Sequence, residues 1–326
     1  MTCSFCVDYF IRIVHIVCNR KKGALSMGIK KIVVDKTRRN FIKLCNEADI
    51  PRMAKEVYPS DVRTVKDLSY IDDGKVEHKF DIYFPEGVSF ENMSRKVLVL
   101  DIHGGGFVYG LKEINMNFNM HVARRTGLPV ASINYTLVPD GSIVRIVDEI
   151  IRAIDHLKET YGVDDFYIMG DSAGGFLAYT TWAVLTDKDV RHDYQCFTDP
   201  KVNVLGIVMI SPATTDSQKY MSSLEAAYFP DDPHNAIPSY AGNLVLLTDR
   251  CKFAPPSIVL ITSDKDSMHD ETNYFHKELK ARDLSVKLFD GVTAPDGNPL
   301  YHVFPVGHPE WPESDEPLRL IAELVV

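Results

Sequence analysis

The chain has 326 residues, 45% of them hydrophobic, enough to bury one large α/β core with a modest cap and too few for two full domains. Its formal net charge of −9 at pH 7 argues against a nucleic-acid partner, which would need a basic surface. The charge is uneven: residues 1–50 carry 10 Lys and Arg against 4 Asp and Glu, so a basic head meets an acidic body.

In the head, Phe5 to Val17 is apolar but broken by Asp8, Arg12 and His15, which predicts a helix with a narrow polar stripe. The stretch is too short and too charged to span a bilayer, and it lacks the basic lead-in and small-residue cleavage site of a secretory signal. Packing against the oppositely charged body is the expected role, with membrane-surface attachment through residues 5–17 as the alternative. The six cysteines, Cys3, Cys6, Cys18, Cys45, Cys196 and Cys251, follow neither a disulfide framework nor a zinc-site spacing. Reduced thiols in the cytoplasm are therefore expected, with no metal and no cofactor. Acidic pairs such as Asp231-Asp232 read as solvated loop.

The segments 67–71 and 79–84 read as antiparallel strands. The apolar run Lys96 to Ile102 predicts a buried strand, and it leads into His103-Gly104-Gly105-Gly106-Phe107. Three successive glycines leave backbone N–H groups uncovered, able to donate to a ligand at close range. A phosphate loop would continue into G-K-[ST], which is absent. Further on, the pattern predicts a strand at 129–135, a helix near 143–159, a strand at 165–169, a helix near 173–186 and a strand at 204–210. This alternation predicts an α/β fold with a doubly wound, mostly parallel sheet.

Between the strand Phe166 to Met169 and the helix that follows stands Gly170-Asp171-Ser172-Ala173-Gly174. A G-x-S-x-G sequence in that context mounts a serine on a sharp turn with its hydroxyl presented, and Ser172 is the expected nucleophile. Its base and orienting acid should follow in the order acid, then histidine. The strand-like run Ser257 to Thr262 ends at Ser263-Asp264-Lys265-Asp266-Ser267, where a carboxylate would point into the crevice. Asp266 is taken as the acid and Asp264 is its competitor, while Asp270 and Glu271 suit the first turn of the next helix. After the strand Leu284 to Phe289 come His302 and His308. His302, among the apolar neighbours Tyr301, Val303 and Phe304, is preferred as the base.

Together these residues resemble the bacterial-type hormone-sensitive-lipase-like branch of the α/β-hydrolases, a family of serine carboxylesterases. The resemblance runs from about Lys96 to the C-terminus. It rests on His103 to Phe107 with Gly110, on Asn134 to Asp140, on Gly170 to Gly175, on Ser211-Pro212, on Asp266 with Asp270-Glu271, and on His302. It implies an α/β-hydrolase sheet with a small helical cap, in which residues 1–50 form an N-terminal helical cap segment. Residues 51–326 would be the catalytic domain, with a short cap insertion around 213–250. It also implies the triad Ser172, Asp266 and His302, and an oxyanion hole made by the backbone N–H groups of Gly104, Gly105 and Ala173.

The chain departs from that family at several points. Asn134-Tyr135-Thr136 lacks an acid and an arginine, so a buried ion pair usual there is expected to be absent. Ser267 and Met268 replace proline and leucine, Val303 replaces glycine, and the loop 291–301 is long. The expected activity is hydrolysis of short-chain acyl or small aromatic esters through an acyl-enzyme. Amidase, deacetylase or small-lipase chemistry on the same triad, and a non-catalytic ligand-binding role, are the alternatives. The expected partner is a small-molecule ester. Folds of this kind also form oligomers, although no interface is legible in the sequence.

Overall fold

The computed structural model describes residues 27–215 and 238–325. The helix expected at residues 5–17, Asp231-Asp232 and most of the insertion expected at 213–250 lie outside the described residues. In chain order the elements begin with α1 (Met27–Met53), β1 (Val62–Ser69), β2 (Lys79–Pro85), β3 (Val97–Ile102), α2 (Met116–Thr126) and β4 (Val130–Ile133). They continue with α3 (Ile143–Tyr161), β5 (Asp165–Asp171), α4 (Ala173–Thr186), α5 (Lys188–Asp193), β6 (Asn203–Ile210) and α6 (Leu244–Arg250). The last are β7 (Ser257–Ser263), α7 (His269–Ala281), β8 (Val286–Gly291), α8 (Phe304–Gly307) and α9 (Asp315–Val325).

The eight strands form one sheet in the order β1-β2-β4-β3-β5-β6-β7-β8. β1 and β2 are antiparallel to each other, β2 is antiparallel to β4, and every pairing from β4 to β8 is parallel. β3 and β5 are buried along their whole length. Burial on both faces favours apolar residues, which is why residues 97–100 and 166–169 read as hydrophobic runs, while Asp101, Asp165 and Asp171 are buried with polar partners. Leu98, Leu100 and Ile102 of β3 face one core layer and Val97 and Val99 the other. The first layer is closed by α3, whose Ile143, Ile146, Val147, Ile150, Ile154 and Leu157 are all buried, and by α4. Ser142 caps α3, its hydroxyl accepting from Arg145 N at 3.2 Å. α2 and α9 cover the other face through Phe118, Val122, Leu318 and Ile321.

Four element bounds differ from expectation. β1 starts at Val62 rather than Asp67, because a bulge between Val65 and Leu68 breaks the alternation that marks a strand. Asp67 lies in this bulge at φ 58° and its N–H donates to Asp81 Oδ1 at 2.8 Å. β8 begins at Val286, since Leu284 belongs to the turn and its N–H donates to Leu279 O at 3.2 Å. The strand expected at 129–135 narrows to Val130–Ile133. α1 runs three residues past the expected boundary at residue 50. Among the described residues no helix is long and apolar enough to cross a membrane.

Candidate active site

The site lies at the carboxyl ends of β3, β5 and β7, where each strand hands the chain to a loop or helix. β5 stops at Asp171, α4 starts at Ala173, and Ser172 between them is held at φ 51°, ψ −117°. The turn is tight because β3 passes close by. A Cβ on Gly174 would collide with the Ile102 carbonyl oxygen, so only glycine fits. Ser172 N donates to Ile210 O at 2.8 Å and Ser172 O accepts from Ala213 N at 3.1 Å, which fixes the elbow against the end of β6.

Past β7 the chain turns back, with Asp266 N bonded to Ser263 O at 3.0 Å. This brings the Asp266 carboxylate under the loop that carries His302, and His302 Nδ1 lies 2.7 Å from Asp266 Oδ1. The same oxygen accepts Met268 N at 2.9 Å, while Oδ2 accepts Thr262 Oγ1 at 2.9 Å. Burial pushes the Asp266 carboxyl upward, but the charge and hydrogen bond of His302, the Ser211 hydroxyl and Met268 N–H outweigh it, leaving it below the usual carboxylate range. With Asp266 ionised and Nδ1–H directed at it, Nε2 is the basic nitrogen of the ring.

The competing residues are engaged elsewhere. Asp264 Oδ1 accepts Thr293 N at 3.0 Å and Thr293 Oγ1 at 2.7 Å, pinning the long loop. His308 stacks on Trp311 with ring centroids 3.8 Å apart and contacts Glu310. Asp270 and Glu271 do occupy the first turn of α7.

One expected donor is taken. Gly104 N–H donates to Asp171 Oδ1 at 2.9 Å, so it cannot also stabilise an oxyanion. Of the three amides expected in the oxyanion hole, Gly105 and Ala173 remain, both lining the same cavity as Ser172 and His302. Gly105 has φ +102°, and its carbonyl accepts Val108 N and Tyr109 N. A side chain at Gly105 would strike the Tyr109 carbonyl, so substitution there disturbs the turn as well as the donor.

Asp171 belongs to a buried polar cluster that the sequence did not announce. Asn115 Nδ2 donates to Asp171 Oδ1 at 2.8 Å and to Asp101 Oδ2 at 3.2 Å, and Asn119 Nδ2 and Ser132 Oγ also donate to Asp101 Oδ2, at 2.7 and 3.0 Å. Burial raises both carboxyls, and for Asp101 the neighbouring Asp171 adds to burial to bring it to about 7. Asn115 and Asn119 are one turn apart on the entry to α2, a spacing visible in Asn115-Met116-Asn117-Phe118-Asn119 but without meaning until Asp101 is seen beneath it.

A carboxyl raised by folding adds stability while it is protonated, and that stability is lost as pH climbs from about 4 through about 7. Asp101→Asn imitates the protonated form. The difference in melting temperature between this variant and wild type is expected to move in the variant's favour between pH 4 and 7 and then level off. A difference that moved toward wild type as pH rose would show that the cluster stabilises the carboxylate instead.

The cavity above Ser172 has a volume of about 430 Å³. α1 supplies one wall, placing Phe41, Cys45, Asp49 and Arg52 along one helical face. Asp49 is tied to the floor by Tyr109 Oη at 3.0 Å and to Arg52 Nη2 at 3.2 Å. Where an ion pair was expected to be missing at 134–136, Thr136 N and Oγ1 donate to Glu149 at 2.7 and 2.8 Å. Glu149 is also met by Arg145 and His78, so a different charged cluster occupies the place.

Residues 99–293 match the family model described as alpha/beta hydrolase fold. An acetyl esterase of Salmonella typhi is 23% identical over 213 residues, which is 58% of this chain and 62% of the relative. An acetyl esterase of Salmonella choleraesuis is 24% identical over 208 residues, again 58% of this chain and 62% of the relative. The chain thus spans under two thirds of the length of these relatives. Among solved structures, esterase B from Lactobacillus rhamnosis has a TM-score of 0.78 at 22% identity, covering 91% of this chain and 96% of that one. The esterase from Pyrobaculum calidifontis gives 0.62 at 23%, covering 92% and 96%.

Proposed function

Because the chain belongs to the alpha/beta hydrolase fold family matched by its residues 99–293, we propose that it is a serine carboxylesterase acting on short-chain acyl or small aromatic esters. The observation that carries this reading is the 2.7 Å contact of His302 with Asp266 at the edge of a cavity that Ser172 also lines. The acetyl esterase names of its relatives support it.

In this reading Ser172 Oγ attacks the ester carbonyl carbon while its proton passes to His302 Nε2. The carbonyl oxygen becomes an anion and takes hydrogen bonds from the Gly105 and Ala173 amides, fixed dipoles that need no reorganisation. The C–O bond to the alcohol breaks as His302 returns the proton to the leaving oxygen, giving an acyl-Ser172. Water then repeats the sequence with His302 as base, releasing the acid and regenerating the serine. Asp266 remains ionised throughout and steadies the imidazolium. The face of α1 that walls the cavity supports a covering role for the N-terminal segment.

A cavity of this size accommodates a short acyl chain with its alcohol, at the small end of the usual range of about 300–1,000 Å³. Among p-nitrophenyl esters, kcat/KM is expected to peak at roughly 2–4 acyl carbons and to fall steeply beyond about eight. A maximum at ten or more carbons would point to a lipase-like site, and no turnover of any ester by folded protein would refute the reading.

A further inference from the structure

His302 is followed by a residue in a conformation that its side chain resists. Val303 lies at φ 54°, ψ 32°, in the left-handed region, where a β-branched residue is a genuine outlier. Such a conformation persists only where the surroundings over-determine it. At this position the resembled pattern has glycine, which reaches the same region without strain.

Ser211, just past the end of β6, is what holds it. Ser211 Oγ accepts Val303 N–H at 3.1 Å, and the Ser211 hydroxyl is among the hydrogen bonds that hold the Asp266 carboxyl low. One hydroxyl can do both, accepting on a lone pair and donating its single proton. Ser211 is itself 2% exposed and anchored through its N–H to Ile261 O at 2.7 Å, so this clamp stands on the rigid ends of β6 and β7. On the other side, Val303 O accepts Val306 N at 3.0 Å and Gly307 N at 3.2 Å. His302 therefore hangs from a backbone fixed on one side by α8 and on the other by Ser211.

We propose that Ser211 is a positioning residue that locks His302 to Asp266 by holding the strained Val303 backbone. The inference rests on the esterase reading for its kinetic test, and a second readout without substrate keeps the two separable. With p-nitrophenyl acetate, Ser211→Ala is expected to lower kcat by roughly 10- to 100-fold while KM changes by less than about threefold. Introduced into Val303→Gly, where glycine removes the strain, the same substitution should cost less than about threefold, whatever Val303→Gly does alone.

Equal losses in the two backgrounds, or a loss carried by KM, would overturn the proposal. Ser211→Cys keeps the volume but bonds weakly, so it should fall between serine and alanine; full activity in it would also overturn the clamp. Without substrate, the proton NMR signal of the His302–Asp266 hydrogen bond should broaden in Ser211→Ala and sharpen again in the double variant. A signal unchanged in Ser211→Ala would count against the clamp even if no ester were turned over.

Discussion

Ser172→Ala is expected to lower kcat for p-nitrophenyl acetate by about 10⁴- to 10⁶-fold, because without the hydroxyl no acyl-enzyme forms and only binding and the oxyanion donors remain. The fold should not notice. The Ser172 side chain caps nothing at the start of α4, and the contacts that hold the elbow, from Ser172 N to Ile210 O and from Ala213 N to Ser172 O, are made by backbone atoms that alanine keeps. Alanine also adopts φ 51° at no more strain than serine does. The melting temperature should therefore stay within about 2 °C of wild type, no more than the lower end of the shift of about 2–4 °C that 1 kcal/mol produces in a domain of 150–250 residues. A variant that kept more than a hundredth of the activity, with contaminating esterases excluded by its titration against wild type, would remove Ser172 from the mechanism.

Asp266→Asn should cost about 10⁴-fold in kcat, the scale seen when a triad acid is neutralised and its histidine held in the wrong tautomer. The geometry says why. Asp266 Oδ2 accepts Thr262 Oγ1 and Oδ1 accepts both Met268 N and, at 2.7 Å, His302 Nδ1. If Thr262 Oγ1 goes on donating, an asparagine must turn its NH₂ toward Met268 N–H and the imidazole, where it donates to Nδ1. The ring proton then moves to Nε2, the atom that must receive the serine proton. The other orientation makes Thr262 Oγ1 the acceptor and leaves a neutral acceptor facing the imidazolium. Asp264→Asn is the control: its side chain meets Thr293 and Lys265 among the described residues and not His302, so activity should remain within about twofold. If Asp264→Asn were the damaging change and Asp266→Asn the mild one, the acid would have to be reassigned.

The two glycine-rich motifs could be read without coordinates because close backbone approach excludes side chains, and that exclusion is written directly as glycine at 104–106 and 174. The apolar runs at residues 97–100 of β3 and 166–169 of β5 were equally plain, since a strand covered on both faces is apolar along most of its length. By contrast, β1 was misplaced because a bulge shifts the alternation halfway along it. The engagement of Gly104 by Asp171 was invisible for a different reason: whether an amide is available depends on a partner 67 residues away. The same holds for Asp101, Asn115 and Asn119, polar residues that would pass for surface until β3 and α2 bury them together. Val303 was noted only as a departure from glycine. Its φ of 54° turns that departure into a statement about strain, and the strain leads to Ser211.

Covalent capture tests most directly whether Ser172 carries the acyl group. The protein would be treated with an alkyl p-nitrophenyl phosphonate, which phosphonylates an activated serine with loss of p-nitrophenolate, and then analysed by intact mass and peptide mapping. One adduct per chain is expected on the peptide containing Ser172, formed in parallel with loss of esterase activity and absent from Ser172→Ala. Activity lost with the adduct on another residue, or an adduct that still forms on Ser172→Ala, would contradict it.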